Sequence, residues 1–251
     1  MGCFKQPIVF VDEIFMSIAE NITSIRGRIA KAAQRVGRKA DEITLMAVSK
    51  TFPAERIREA YAAGQRLFGE NRVQEFAEKA TALRDLSGAD WHMIGHLQSN
   101  KAAAAVNLFG AVDSVDSLRL ARKLDAAARQ AGKMLAVLVE VNVGGEAVKS
   151  GVAPASGELE EILQGAAELE HLEIRGLMTI PPFTGDAEGA RPYFRRLREL
   201  RDEILSRRLS RVRMEVLSMG MSHDFEVAVE EGSTCVRLGT AVFGERGANS
   251  G

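Results

Sequence analysis

Eight short apolar runs alternate with stretches patterned as helices along this chain of 251 residues, and no other feature constrains its fold as strongly. The runs cover residues 43–49, 66–69, 91–95, 108–112, 134–141, 173–178, 213–217 and 234–238. Pro53 opens an expected helix that reaches residue 63; others begin near 72, 99 and 116, and three more cover 156–169, 188–208 and 223–231. Ahead of all of them, Ile14, Ile18, Ile22, Ile25 and Ile29 recur at steps of four and three. That spacing lines one face of a helix expected over 12–36, with Gly37 as its stop. Parallel strands need a crossover between neighbours, and a helix supplies it. Eight such units close most simply into a (β/α)₈ TIM barrel with an extra N-terminal helix; an open doubly wound sheet is the alternative.

No linker or shift of composition divides the chain, so a single domain is expected over 12–246, with an extension over 1–11 and a tail over 247–251. A hydrophobic content of 46% suffices for one sizeable core. Lysine and arginine total 33 against 34 acidic residues, which leaves no long-range field to gather nucleic acid or an anionic membrane. Any anion must be held by a local site. Cys3 and Cys235 have neither metal-ligand spacing nor partners for a disulfide framework, which suits a reducing cytoplasm, and Cys235 reads as a buried strand residue. The N-terminal stretch is broken by Lys5 and Pro7 and lacks the apolar core of a signal peptide, and no run is long enough to span a membrane. His92, His96, His171 and His223 lack the paired spacing of a zinc site, so no metal is expected.

In a (β/α)₈ barrel the chemistry sits where strands end. Lys50 follows the apolar run 45–48, so its stem emerges from the barrel interior. Desolvation favours the neutral amine, the form that condenses with an aldehyde. The alternative is a lysine that snorkels to the rim or pairs with Glu70 or Glu140. After the seventh strand, Gly220 permits a tight turn and Ser222 stands at the expected start of a helix. The segment resembles a phosphate cup, although Ser222 also suits a simple N-cap. Gly239 and Thr240 equip the loop after the eighth strand in the same way. Arg237, two residues before Gly239, points either to an ion pair with Glu140 or another strand-end acid, or to a bound ligand. His92 reads as a core or hydrogen-bonded histidine, His96 as a residue that can approach the mouth, and Glu140 and Asn142 as network partners.

Together the stretches AVSKT (47–51), FGEN (68–71), WHMIGHLQSNK (91–101), GLMTI (176–180), LSMGMS (217–222) and GSTCVRLGT (232–240) resemble the pyridoxal phosphate homeostasis protein family. These are relatives of the alanine racemase N-terminal barrel, fold type III, and the resemblance runs from about residue 15 to 246. It implies that Lys50 carries pyridoxal 5′-phosphate on a Schiff base and that Arg237 meets the pyridine nitrogen. It implies also that Ser222, Gly239 and Thr240 hold the phosphate, with Asn71 near the ring. Arg72 departs from the family pattern, which often has tyrosine there.

A racemase working with this cofactor needs two acid/base groups on opposite faces. In the racemases that the barrel resembles, the second is a tyrosine from an added β domain of the partner subunit, and that domain is expected to be absent here. Tyr61 and Tyr193 both fall in expected helices. The expectation is therefore a protein that binds, buffers and delivers pyridoxal phosphate to apo-enzymes, with no catalytic residue assigned and a racemase-like enzyme as the alternative.

Overall fold

A computed structural model of the chain describes residues 16–146 and 149–245. The expected extension over 1–11, the opening residues 12–15 of the first helix and the tail over 247–251 lie outside the described residues. Strands β1 (Thr44–Val48), β2 (Leu67–Glu70), β3 (Asp90–Met93), β4 (Ala111–Val115), β5 (Leu135–Glu140), β6 (Leu172–Met178), β7 (Val212–Ser218) and β8 (Cys235–Leu238) form a closed barrel in sequence order. Every neighbouring pair is parallel, and β8 returns to β1 with Met46 beside Arg237. The closed barrel, rather than the open sheet, is what the eight units build. Helices α2 (Ala54–Ala62), α3 (Val73–Leu83), α4 (Ala102–Leu108), α5 (Leu118–Gln130), α6 (Gly157–Gly165), α7 (Arg191–Ser206) and α8 (Phe225–Glu230) fill the crossovers. A short α9 (Thr240–Phe243) follows the last strand. Among the described residues no helix is long and apolar enough to cross a membrane.

Helix α1 (Ile18–Arg35) begins with a capping box in which Ser17 and Glu20 each satisfy the other's backbone amide. Its stripe of Ile18, Ile22, Ile25 and Ile29 is buried against α2, α8 and α9. Arg28 and Arg35 tie it to Glu226 and Glu230 of α8 at 2.7 and 2.6 Å.

Side chains alternate across a strand, so the barrel wall has two faces. Leu45, Ala47, Val137, Val139, Val236 and Leu238 pack outward with the helices in one large core. Met46, Val48, Ile94 and Cys235 form a second, inner cluster. Gly69 also belongs to the interior, since a Cβ there would stand 2.8 Å from Met46 Sδ and 2.9 Å from Ile94 Cδ1. The burial expected for Cys235 is therefore observed, on the inner face.

Most boundaries shift by one to a few residues from the sequence expectation, and two of the shifts have a plain physical cause. The fourth strand begins at Ala111, not 108, because Phe109 N donates to Ala105 O at 2.9 Å and completes the last turn of α4. A buried helix end and a buried strand look alike in apolar pattern. Helix α8 begins at Phe225, because Asp224 Oδ1 accepts from Met221 N at 2.7 Å and holds residues 221–224 in a turn.

Candidate functional site

At the carboxyl end of the strands lies a cleft of about 550 Å³. Lys50, Asn71, Ser222, Arg237, Gly239 and Thr240, singled out from sequence on four separate loops and strand ends, all line it. The alternation that places Thr44, Met46 and Val48 on the inner face carries on to Lys50. Neither rim partner considered for Lys50 pairs with it among the described residues. Glu70, fully buried, instead accepts from Ser49 Oγ at 2.7 Å and from Lys79 Nζ at 2.8 Å.

Arg237 is buried in the barrel, where its Nη1 donates to Ser218 Oγ at 2.8 Å and its Nη2 to Thr179 O at 2.7 Å. Among the described residues no carboxylate stands within ion-pair distance, so the ion pair to Glu140 is not made. The side chain leans across β7 toward β6 and spends its donors there. Burial holds its guanidinium below the ordinary arginine value, against the opposing pull of Cys235, Asp113 and Glu140.

Glu140, at the inward-facing end of β5, is only 6% exposed, and its Oε2 has no partner among the described residues. Its carboxyl is pushed up to about 7, first by burial and then by the charge of Asp116, with Arg237 and His96 pulling the other way. His96 reaches the mouth, as expected, with Nδ1 3.1 Å from Asp116 Oδ2. Asn142 is structural: its Nδ2 donates to Glu146 O at 2.8 Å.

Ser222 stands three residues ahead of α8 and is not its N-cap, a position held by Asp224. Its Oγ instead accepts from Thr240 Oγ1 at 3.4 Å, which brings the loops after β7 and β8 together. Gly220 has φ +95°, and a Cβ there would lie 2.6 Å from Ala228 Cβ, so the turn before Ser222 requires glycine. Gly239 caps α9 and Thr240 opens it. Arg72 pairs with Glu75 at 3.0 Å on the surface and does not line the cleft.

Two lysines escaped the sequence reading. Lys149 lines the cleft from the loop after β5, with Nζ donating to Pro181 O at 3.0 Å; nothing in its surroundings in the sequence singles it out. Lys79 lies beneath the Lys50 turn, and its signal was present: it stands on the buried stripe of α3, between Phe76 and Leu83.

At the opposite end of the barrel His92 packs between Asp113 and Asp90, at 3.1 and 3.2 Å. Burial alone would lower its pKa, but the charge and hydrogen bonding of Asp113, joined by Asp90, raise it to about 10. It is a half-buried, hydrogen-bonded histidine. Among the described residues no group of histidine, cysteine or acidic side chains is arranged to hold a metal.

Barrel and cleft together define a class, that of the alanine racemase N-terminal domain, whose family model matches residues 21–247. Within that class the chain belongs to the pyridoxal phosphate homeostasis protein family. It is 47% identical to the Aquifex aeolicus protein of that description, over 92% of this chain and 99% of the relative. The Escherichia coli K12 protein so described is 42% identical over 91% of this chain and 97% of its own length. PipY of Synechococcus elongatus PCC7942, solved with PLP bound, superposes with a TM-score of 0.79 at 40% identity, covering 90% of this chain and all of that one.

Proposed function

We propose that this chain binds pyridoxal 5′-phosphate in the cleft at the carboxyl end of its barrel, attached covalently through Lys50, and serves to buffer and deliver it to apo-enzymes in the cytoplasm. The observation that carries the reading is the convergence of Lys50, Asn71, Ser222, Arg237, Gly239 and Thr240 on one cleft. The donor set fits the group: an inward-facing amine, a buried guanidinium with no carboxylate partner among the described residues, and two hydroxyls 3.4 Å apart beside a glycine cap. Lys50 would supply the nucleophilic amine, Arg237 would face the ring nitrogen, and Ser222, Gly239 and Thr240 would hold the phosphate, with Asn71 beside the ring. Bound pyridoxal phosphate supplies an aldehyde carbon to which an amine adds. Family membership and the PLP-bound PipY structure support this reading.

Carriage is favoured over racemisation because the racemases that this barrel resembles set a tyrosine opposite the lysine as the second acid/base group. Tyr61 and Tyr193 sit in α2 and α7, and neither lines the cleft. The test is a visible spectrum of the purified chain before and after borohydride, followed by peptide mass analysis. Cofactor fixed on the peptide containing Lys50 is expected, and Lys50→Ala should abolish the band. An unchanged spectrum and affinity in that variant would remove the covalent reading. Exchange of an amino acid α-proton in heavy water at a useful rate would sink the carrier reading.

A further inference from the structure

The turn that presents Lys50 is held from beneath by a buried ion pair. Ser49 closes β1 with its N donating to Gly69 O at 3.0 Å, and Phe52 N donates back to Ser49 O at 3.2 Å. Between them Thr51 has φ +64°, a left-handed backbone that a β-branched side chain rarely adopts. Lys79 rises from α3 under this turn and places its ammonium against three acceptors. They are Ser49 O at 3.1 Å, Phe52 O at 3.4 Å and Glu70 Oε1 at 2.8 Å. The two carbonyls flank the Lys50–Thr51 pair on either side, so one cation fixes both ends of the strained segment.

Glu70 in turn is anchored by Ser49 Oγ at 2.7 Å and is wholly buried, and among the described residues Lys79 is its ion-pair partner. The far end of the turn is fixed as well, because Phe52 stacks on Phe243 of α9 at 4.6 Å, and α9 begins at Thr240 of the cleft. The lysine that would attach cofactor and the loop that would hold phosphate are thus mechanically joined.

Resting on the proposed function, we infer that Lys79, anchored by Glu70, is a positioning residue that holds the Lys50 turn in the shape needed for attachment to the cofactor aldehyde. In that step Lys50 Nζ bonds to the aldehyde carbon, and the carbonyl oxygen departs as water with the two hydrogens of the amine. Attachment requires a defined approach of nitrogen to carbon; retention of the phosphate does not. Loss of the clamp therefore affects the covalent step selectively.

The experiment compares the cofactor-free full chain with Lys79→Met. One measurement follows the rate at which borohydride-fixable pyridoxal phosphate accumulates. The other is affinity for pyridoxine 5′-phosphate, whose alcohol cannot condense with an amine. Lys79→Met should slow attachment by about tenfold or more while changing pyridoxine phosphate affinity by less than about twofold. Adding Thr51→Gly removes the backbone strain that the clamp opposes and should restore at least part of the rate. Glu70→Gln, which keeps an acceptor and the side-chain volume, should slow attachment by a smaller factor, and it decides the matter if Lys79→Met does not fold. Attachment at the parent rate in the folded variants overturns the inference, as does a matching loss of pyridoxine phosphate affinity. A parent chain that binds pyridoxine phosphate yet never attaches pyridoxal phosphate instead overturns the proposed function.

Discussion

Glu140→Gln should make the cofactor-free protein more stable, and increasingly so as pH rises. The carboxyl is pushed up to about 7 from an ordinary value of 4.5, so the folded state holds a proton that the unfolded state has released. A folded pKa above the unfolded one in an acid means a penalty that is absent below about 4.5, grows through the interval and is complete above 7. At 1.36 kcal/mol for each pH unit, the gap corresponds to about 3 kcal/mol. Glutamine keeps the volume and a polar terminus but cannot ionise. Urea unfolding of parent and variant at pH 5, 6, 7 and 8 reads the difference directly, and other titrating groups cancel in the comparison. A gap of about 1 kcal/mol or less at pH 5, widening to about 3 kcal/mol in favour of the variant at pH 8, is expected. A gap that stays constant across this range, or that favours the parent at pH 8, refutes the argument from burial.

Two further changes test the barrel itself. His92→Ala leaves the carboxylate of Asp113 buried without its partner and should cost about 3 kcal/mol near neutral pH. Because the pKa of His92 is raised to about 10, its contribution is complete below 6.5 and fades as pH climbs through 10, so the stability gap between parent and variant should narrow over that interval. Gly176→Ala places a Cβ 1.9 Å from the backbone oxygen of Val216, where β6 and β7 shift register. Backbone cannot yield as a side-chain tip does, so a loss of about 2 kcal/mol or more is expected, read as a lower urea midpoint.

The eight-unit plan and the inward course of Lys50 and Arg237 were legible because strand periodicity and strand order are local properties of the chain. The partners of Arg237 were not. Its hydrogen bonds to Ser218 and to the Thr179 carbonyl depend on how far the side chain leans across neighbouring strands, a distance that only barrel closure sets. Ser222 lines the cleft, but not as the start of a helix. Its loop is shaped by Asp224 and Gly220, and its hydroxyl meets Thr240 rather than capping a helix. Lys79 was not singled out from sequence, although its position between Phe76 and Leu83 put it on the buried stripe. The start of β4 was misplaced because apolar residues at the end of α4 carry no mark that separates them from a strand.

The two-faced wall of the barrel gives the site a parity. In β8, Cys235 lies inward, Val236 packs outward, Arg237 reaches inward and Leu238 outward again. Chemistry and packing occupy interleaved positions of one strand, as odd and even numbers share a line. Side chains on one face can therefore change while the other face keeps the barrel closed, provided the count of residues is preserved. A single residue gained or lost within the strand exchanges the two roles, sending the guanidinium into the helix layer and a leucine into the mouth. The chain can vary the chemistry at this site by substitution far more readily than by insertion.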